Sequence, residues 1–237
     1  MHRPRNFWLF LAPVLFVLVV SAVGCGGAAE EPLIRKFFQS SSMGDNMTIT
    51  NIATVSFDPA KQGRATGVSV VSVSPEQVRE LKFKDLEKAR QEAAAAESAF
   101  EKEKKAYQDK NLDAINRILK IEATNGKVTG KDVAIQAEWN KWRAETKEHA
   151  KAVSEARAKL NAERRVADLS VPDHDPTTFD GTEIRKEATV TANVAAPDGT
   201  TSKKTFILTL ERVVLKGADG KAVEGRWMIT NLKESGS

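Results

Sequence analysis

Apolar positions change rhythm three times along this chain. Leu33, Ile34, Phe37 and Phe38 recur at helical spacing, and the small polar run Ser40, Ser41, Ser42 and Gly44 ends that helix. A second short helical turn is expected from Asp45. Residues 52–57 then read as a strand closed by Asp58 and Pro59, and Val68, Val70 and Val71 set among serines in residues 67–73 read as another. The period of two returns late in the chain. Ala188, Val190, Ala192 and Val194 alternate with Thr189, Thr191 and Asn193, a turn follows at Pro197, Asp198 and Gly199, and Phe206, Leu208 and Leu210 share one face of a return strand. A glycine-rich connection, residues 217–225, leads to a last strand over 226–232 with Trp227 and Ile229 on one side. These strands predict an antiparallel meander.

Between the two flanks the rhythm is helical and long. Ser74 as cap, Pro75 at the first helical position and Gln77 at capping-box spacing predict a helix that meets no further proline or glycine before Gly126, about 45 residues or nearly 70 Å. Leu86, Ala93, Phe100 and Tyr107 fall seven apart. After Gly126 and Gly130, a second helix repeats Ile135, Trp139, Trp142, Thr146, His149, Val153, Ala156 and Leu160 at spacings of four and three, a coiled-coil seam. Folding back near Lys127 sets Ile135 near Leu119, Trp139 near Ile115, Trp142 near Leu112, Val153 near Phe100 and Leu160 near Ala93. Glu80 with Lys84, Glu101 with Lys105, Asp113 with Arg117 and Glu155 with Lys159 are spaced as solvated ion pairs.

The start of the chain has its own pattern. Arg3 and Arg5 precede an apolar run, residues 7–23, then the small residues Ser21, Ala22, Val23 and Gly24, then Cys25, the only cysteine among 237 residues. This is the layout of a secretory signal, and its end resembles the lipobox of bacterial lipoproteins, in which the cysteine is lipidated and becomes the new N-terminus. Kept as an anchor instead, the run would cover roughly 26 Å, short of the ~30 Å hydrocarbon core. Either way the resemblance implies export and attachment to a membrane, facing the periplasm. Gly26, where an aspartate would retain such a protein at the inner membrane, points to the outer one. Residues 1–24 are thus the expected signal peptide and 25–32 a short tether. With Cys25 modified no thiol is left to pair, so packing alone must stabilise the rest. The net charge of +4 is dispersed among acids rather than gathered in a stripe, which argues against nucleic acid as a partner.

The opening helix with its polar hinge, the strands near 52–73 and the closing meander with Gly225, Arg226, Trp227, Met228 and Ile229 together resemble the nuclear transport factor 2-like, or SnoaL-like, cone fold. The resemblance covers the two flanks, residues 33–73 and 170–237. It implies an α+β domain in which a cone-like curved antiparallel sheet wraps an N-terminal helix, with residues 74–169 inserted as a long antiparallel α-helical hairpin. It also implies a pocket, lined here by Phe37, Phe38, Phe57, Phe206 and Trp227. Steroid-isomerising members use an acid and a tyrosine inside the cone. The only tyrosine here, Tyr107, falls in the hairpin, while Asp45 and Asp58 read as a helix cap and a strand terminator.

Other single residues have plain roles. His149 lies on the seam among charged neighbours, and Trp139 and Trp142 are expected to pack within it near the tip. Asp173, His174 and Asp175 are consecutive, so their side chains diverge, and a turn-rich linker between Pro172 and Pro176 explains them better than a metal. No phosphate loop or nucleophile elbow is present, and no catalytic residue, metal or other cofactor is expected. The expectation is a non-enzymatic, lipid-anchored envelope protein whose hairpin makes protein contacts or self-associates. The alternatives are a small-molecule or lipid binder using the cone pocket, or an isomerase- or dehydratase-like enzyme.

Overall fold

The computed structural model describes residues 28–196 and 198–235. Cys25, the residues 1–24 expected as a signal peptide, and Pro197 lie outside the described residues. Helix α1, Glu31–Met43, begins with Pro32 in its first turn and turns Ile34, Phe37 and Phe38 inward. It ends at Gly44, whose φ of 70° places it in the left-handed region that glycine adopts without strain. Helix α2, Asn46–Ile52, starts where the Asp45 carboxylate accepts the Thr48 N–H at 3.0 Å. That helix corrects the strand expected from Ile52. The only sheet pairing in that segment is one parallel bridge from Ala53 to Ile229, because Ile49 and Ile52 are already committed to the core as helical neighbours. Asp58 does not terminate a strand either: it caps α3, Pro59–Gln62, by accepting the Ala60 N–H at 3.0 Å.

Six strands form one antiparallel sheet: β1 Arg64–Val73, β2 Gln77–Leu81, β3 Asp180–Ala195, β4 Thr201–Lys216, β5 Ala222–Glu224 and β6 Met228–Glu234. The long pair β3 and β4 runs in unbroken register from Asp180 opposite Lys216 to Ala195 opposite Thr201. β1 and then β2 line the free side of β3, while β6 and β5 line the free side of β4. The start of the helix expected from Ser74 is therefore a gap followed by strand β2. The Ser74 N–H donates to the Glu187 carbonyl at 2.8 Å, the Ser74 Oγ accepts the Glu187 N–H at 2.9 Å, and Pro75, which has no N–H to give, marks only the gap between β1 and β2. Register shifts in β1, and between Thr209 and Leu210 against β6, bend the edges and curl the sheet into a half-barrel.

Side chains alternate across a strand, so the unbroken pairing of β3 with β4 separates two cores. Ala188, Val190, Ala192 and Val194 on β3, with Phe206, Leu208 and Leu210 on β4, point to the concave face, where α1, α2 and Phe57 cover them. Val213 and Leu215 have the opposite parity. They pack on the convex face against Leu81, Phe83, Val166, Ala167 and Val171.

This second core belongs to the helical arm, made of α4 Phe83–Lys110, α5 Leu112–Ala123 and α6 Asp132–Ser170. The first helix thus starts eight residues later than the capping pattern suggests and is broken at Asn111 rather than continuing to Gly126. At Asn111 the side-chain amide donates to the Tyr107 carbonyl at 3.0 Å while the backbone carbonyl accepts the Ile115 N–H, so one helix ends and the next begins at the same residue. α6, with 39 residues, is roughly 58 Å long. Among the described residues no helix is long and apolar enough to cross a membrane.

Candidate functional site: a rooted helical arm

Four of the residues expected to line a pocket are packed in the concave interior, and Phe38 among them also borders a surface groove. Phe37, Phe38, Phe57 and Phe206 are at most 2% exposed. Their rings meet at centroid distances of 5.3 to 5.8 Å, Phe38 and Phe206 each touching Phe57, in mostly edge-to-face contacts that favour aromatic pairs. The opening near them is a surface groove of about 350 Å³ between α1 and β1, bordered by Arg35, Met43 and Gly67.

Trp227, the fifth, sits at the end of this core under two cations. The Lys186 Nζ lies 4.1 Å from its ring centre and the Arg212 guanidinium 4.9 Å. Lys186 is 8% exposed and pairs with the equally buried Glu30, with Glu76 further out at 3.6 Å. A charge so buried needs its partner to offset desolvation. Glu30 lies within the segment expected as a tether, residues 25–32, so this pair fixes the chain to the fold before that segment ends.

On the convex face three fastenings join the arm to the sheet. Phe83 lies over Gly181, where a Cβ would stand 2.8 Å from its ring. At the other end of the arm, the Ser170 Oγ accepts the Val213 N–H at 3.0 Å and donates to the Arg226 carbonyl at 2.8 Å. Gly225 makes room for it, since a Cβ there would fall 2.1 Å from that oxygen. Between the two, the Arg79 guanidinium of β2 spans Glu163 of α6 and Glu183 of β3 at 3.0 to 3.1 Å. Burial opposes its charge, yet the two carboxylates hold its pKa above the usual arginine value. Glu211, on the same face, is pushed upward, first by burial and then by the neighbouring Glu183 charge.

Beyond these roots the arm is a two-helix seam. Ile135, Trp139, Trp142, Thr146, His149, Val153, Ala156 and Leu160 all form the covered side of α6, as their spacing implies, and Phe100 and Tyr107 meet them from α4. The register differs from the expected one by about a turn. His149 stacks on Phe100 at 4.5 Å and Trp142 packs on Phe100 at 5.2 Å and on Tyr107 at 5.7 Å, so Phe100 lies nearer the tip than a pairing with Val153 requires. Aromatic stacking sets this alignment because the tip does not: α5 turns away from the line of α4. Its partners on α6 rise along the chain, from Asp132 for Arg117 to Gln136 and Arg143 for Glu122, where an antiparallel continuation would make them fall. Leu112 and Leu119, expected against α6, are exposed, while Ala114, Ile118 and Ile115, the last expected near Trp139, are buried.

At the tip, Arg117 grips Asp132 with two bonds of 2.8 and 3.0 Å and draws that carboxyl below the usual range. Arg143 and Gln136 do the same for Glu122. The expected i,i+4 ion pairs are redistributed. Lys84 reaches Asp180 because Glu80 is in a strand, Lys105 takes Asp109, and Glu155 takes Lys151. Asp175 of the acidic cluster caps the 3₁₀ turn Pro176–Thr178, and His174 packs edge-on against Phe179 at 5.8 Å. The fastenings were missed in the sequence, although Gly181 and Gly225, isolated glycines beside strand patterns, carried a signal of close approach. The chain matches no protein-family model, no curated protein and no solved structure.

Proposed function

We propose that this chain is a non-enzymatic, lipid-anchored cell-envelope protein in which a cone-like, nuclear transport factor 2-like domain carries a helical arm for protein contacts. Cys25 would be the lipidated residue and the membrane its first partner. The observation that carries this reading is the rooting of the arm: Phe83 on Gly181, Arg79 between Glu163 and Glu183, and Ser170 under Gly225 fix both helices to the sheet. A spacer needs no such fixing, whereas a surface that must meet a partner gains from being pre-organised. The concave interior supports it too, being occupied by phenylalanine rings rather than by an acid–tyrosine pair, with Tyr107 in the arm. One seam covers one stripe of each helix and leaves the outer faces of the shaft free for another chain.

The test is a shortened arm. Replacing residues 94–155 by a short turn keeps β2, Phe83 and the α6 end that pack on the sheet. The variant is expected to fold and to lose self-association or partner capture, measured by sedimentation velocity and crosslinking of the full chain in detergent. Assembly unchanged from the native chain would refute the role of the arm.

A further inference from the structure

We propose that the end of the arm is a docking surface for an anionic lipid bilayer. Large apolar side chains are left exposed there: Leu112 and Leu119 on the outer face of α5, and Val133 in the first turn of α6, are each 41 to 48% exposed. Around them stand Lys110, Lys120, Lys127 and Lys131, all exposed and none in an ion pair among the described residues. The other charges of the tip are spent on one another, Arg117 with Asp132, Arg143 with Glu122, Lys105 with Asp109 and Lys141 with Glu138. Asp113 and Glu145 are left, and their fields fall on Arg117 and Lys141. The tip therefore carries a surplus of positive charge beside bare leucines.

That chemistry selects a lipid surface over a protein one. Protein interfaces concentrate aromatic residues and arginine at their centres and are poor in lysine. Here Tyr107, Trp139 and Trp142 are turned into the seam and both arginines are tied down. Lysines ringing leucines are the composition that lies in a membrane interface, the apolar side chains entering the acyl boundary and the ammonium groups resting on headgroup phosphates. The inference goes beyond the contact role of the shaft, because tip and shaft are different surfaces.

Asn116 sits between the two leucines on α5 and is exposed, so it can carry a reporter. The full chain with Cys25→Ser and Asn116→Cys, labelled with an environment-sensitive fluorophore, would be mixed with vesicles of phosphatidylcholine alone and of phosphatidylcholine with phosphatidylglycerol. The expected result is a blue shift with the anionic vesicles alone. Since each lysine near an anionic surface contributes about 1 kcal/mol, each lysine replaced by glutamine should weaken the partitioning about fivefold. Leu112→Ser with Leu119→Ser should remove the shift while leaving the helical circular dichroism in place. An equal shift with both vesicle types, no shift with either, or a shift indifferent to the leucines, as simple attraction to any polyanion would give, overturns the proposal. So does a shift that grows with protein concentration without vesicles, which would mark a second copy as the occupant. Sedimentation of the shortened-arm variant judges the shaft separately.

Discussion

The concave core and the arm are stabilised by different means, and the contrast shows where this chain is built to be rigid and where to be met. On the concave face seventeen buried side chains close on one another from two helices, four strands and the segment after α2, with four phenylalanine rings at the centre. In the arm each helix covers only a stripe, Tyr107, Trp142 and His149 are only half-buried, and the indole N–H groups of Trp139 and Trp142 are buried without a hydrogen-bond partner among the described residues. Unmade bonds of this kind cost about 1–3 kcal/mol each. The arm thus relies on its roots, where glycines let backbone and side chain approach more closely than any other residue would allow.

The largest effect should come from the core. Phe206→Ala removes the ring shared by Phe38 and Phe57 and should cost about 3–5 kcal/mol, seen as a lowered denaturant midpoint for the whole sheet. Next come the roots. Gly225→Val pushes into Ser170 and the Val213 carbonyl, and overpacking of this kind costs about 1–3 kcal/mol. Its signature should be local: faster amide exchange in residues 163–170, with β3 and β4 still protected. Uniform acceleration across sheet and arm would mean that the two are one cooperative unit.

The seam gives a smaller effect with an informative sign. Trp142→Phe keeps a ring between Phe100 and Tyr107 and removes an unpartnered N–H, so it should leave stability unchanged or raise it, while Trp142→Ala should lower it. The smallest effect is at Glu211. Its pKa is raised in the folded chain, so its contribution favours folding at low pH, where both states are protonated, and is lost as pH rises through the folded value. Glu211→Gln should therefore raise the melting temperature slightly near pH 7, and the difference should vanish at pH values below the ordinary glutamate range.

Period and parity were legible in the sequence; junctions were not. The eight-residue seam of α6 and the alternation of Ala188, Val190, Ala192 and Val194 were readable because each is set by burial of one face. Ser74, Pro75 and Gln77 satisfy a helix-cap pattern yet build a strand junction, since pairing with β3 outweighs a local cap of about 1 kcal/mol. The break at Asn111 was hidden because asparagine is tolerated inside helices as well as between them. The filling of the interior by Phe37, Phe38, Phe57 and Phe206 could not be read either, because the same four residues suit a pocket wall and a packed core equally well. Nothing local announced the buried pair of Glu30 and Lys186, which are distant in sequence.

The central claim is that the arm is held stiffly by its roots. Spin labels at Lys216→Cys on β4 and Asn140→Cys near the tip, in a chain with Cys25→Ser, would measure this through the distance distribution from double electron–electron resonance. A single narrow distribution, broadened by Gly225→Val, is the predicted result. A broad distribution in the chain that keeps its glycines would contradict it.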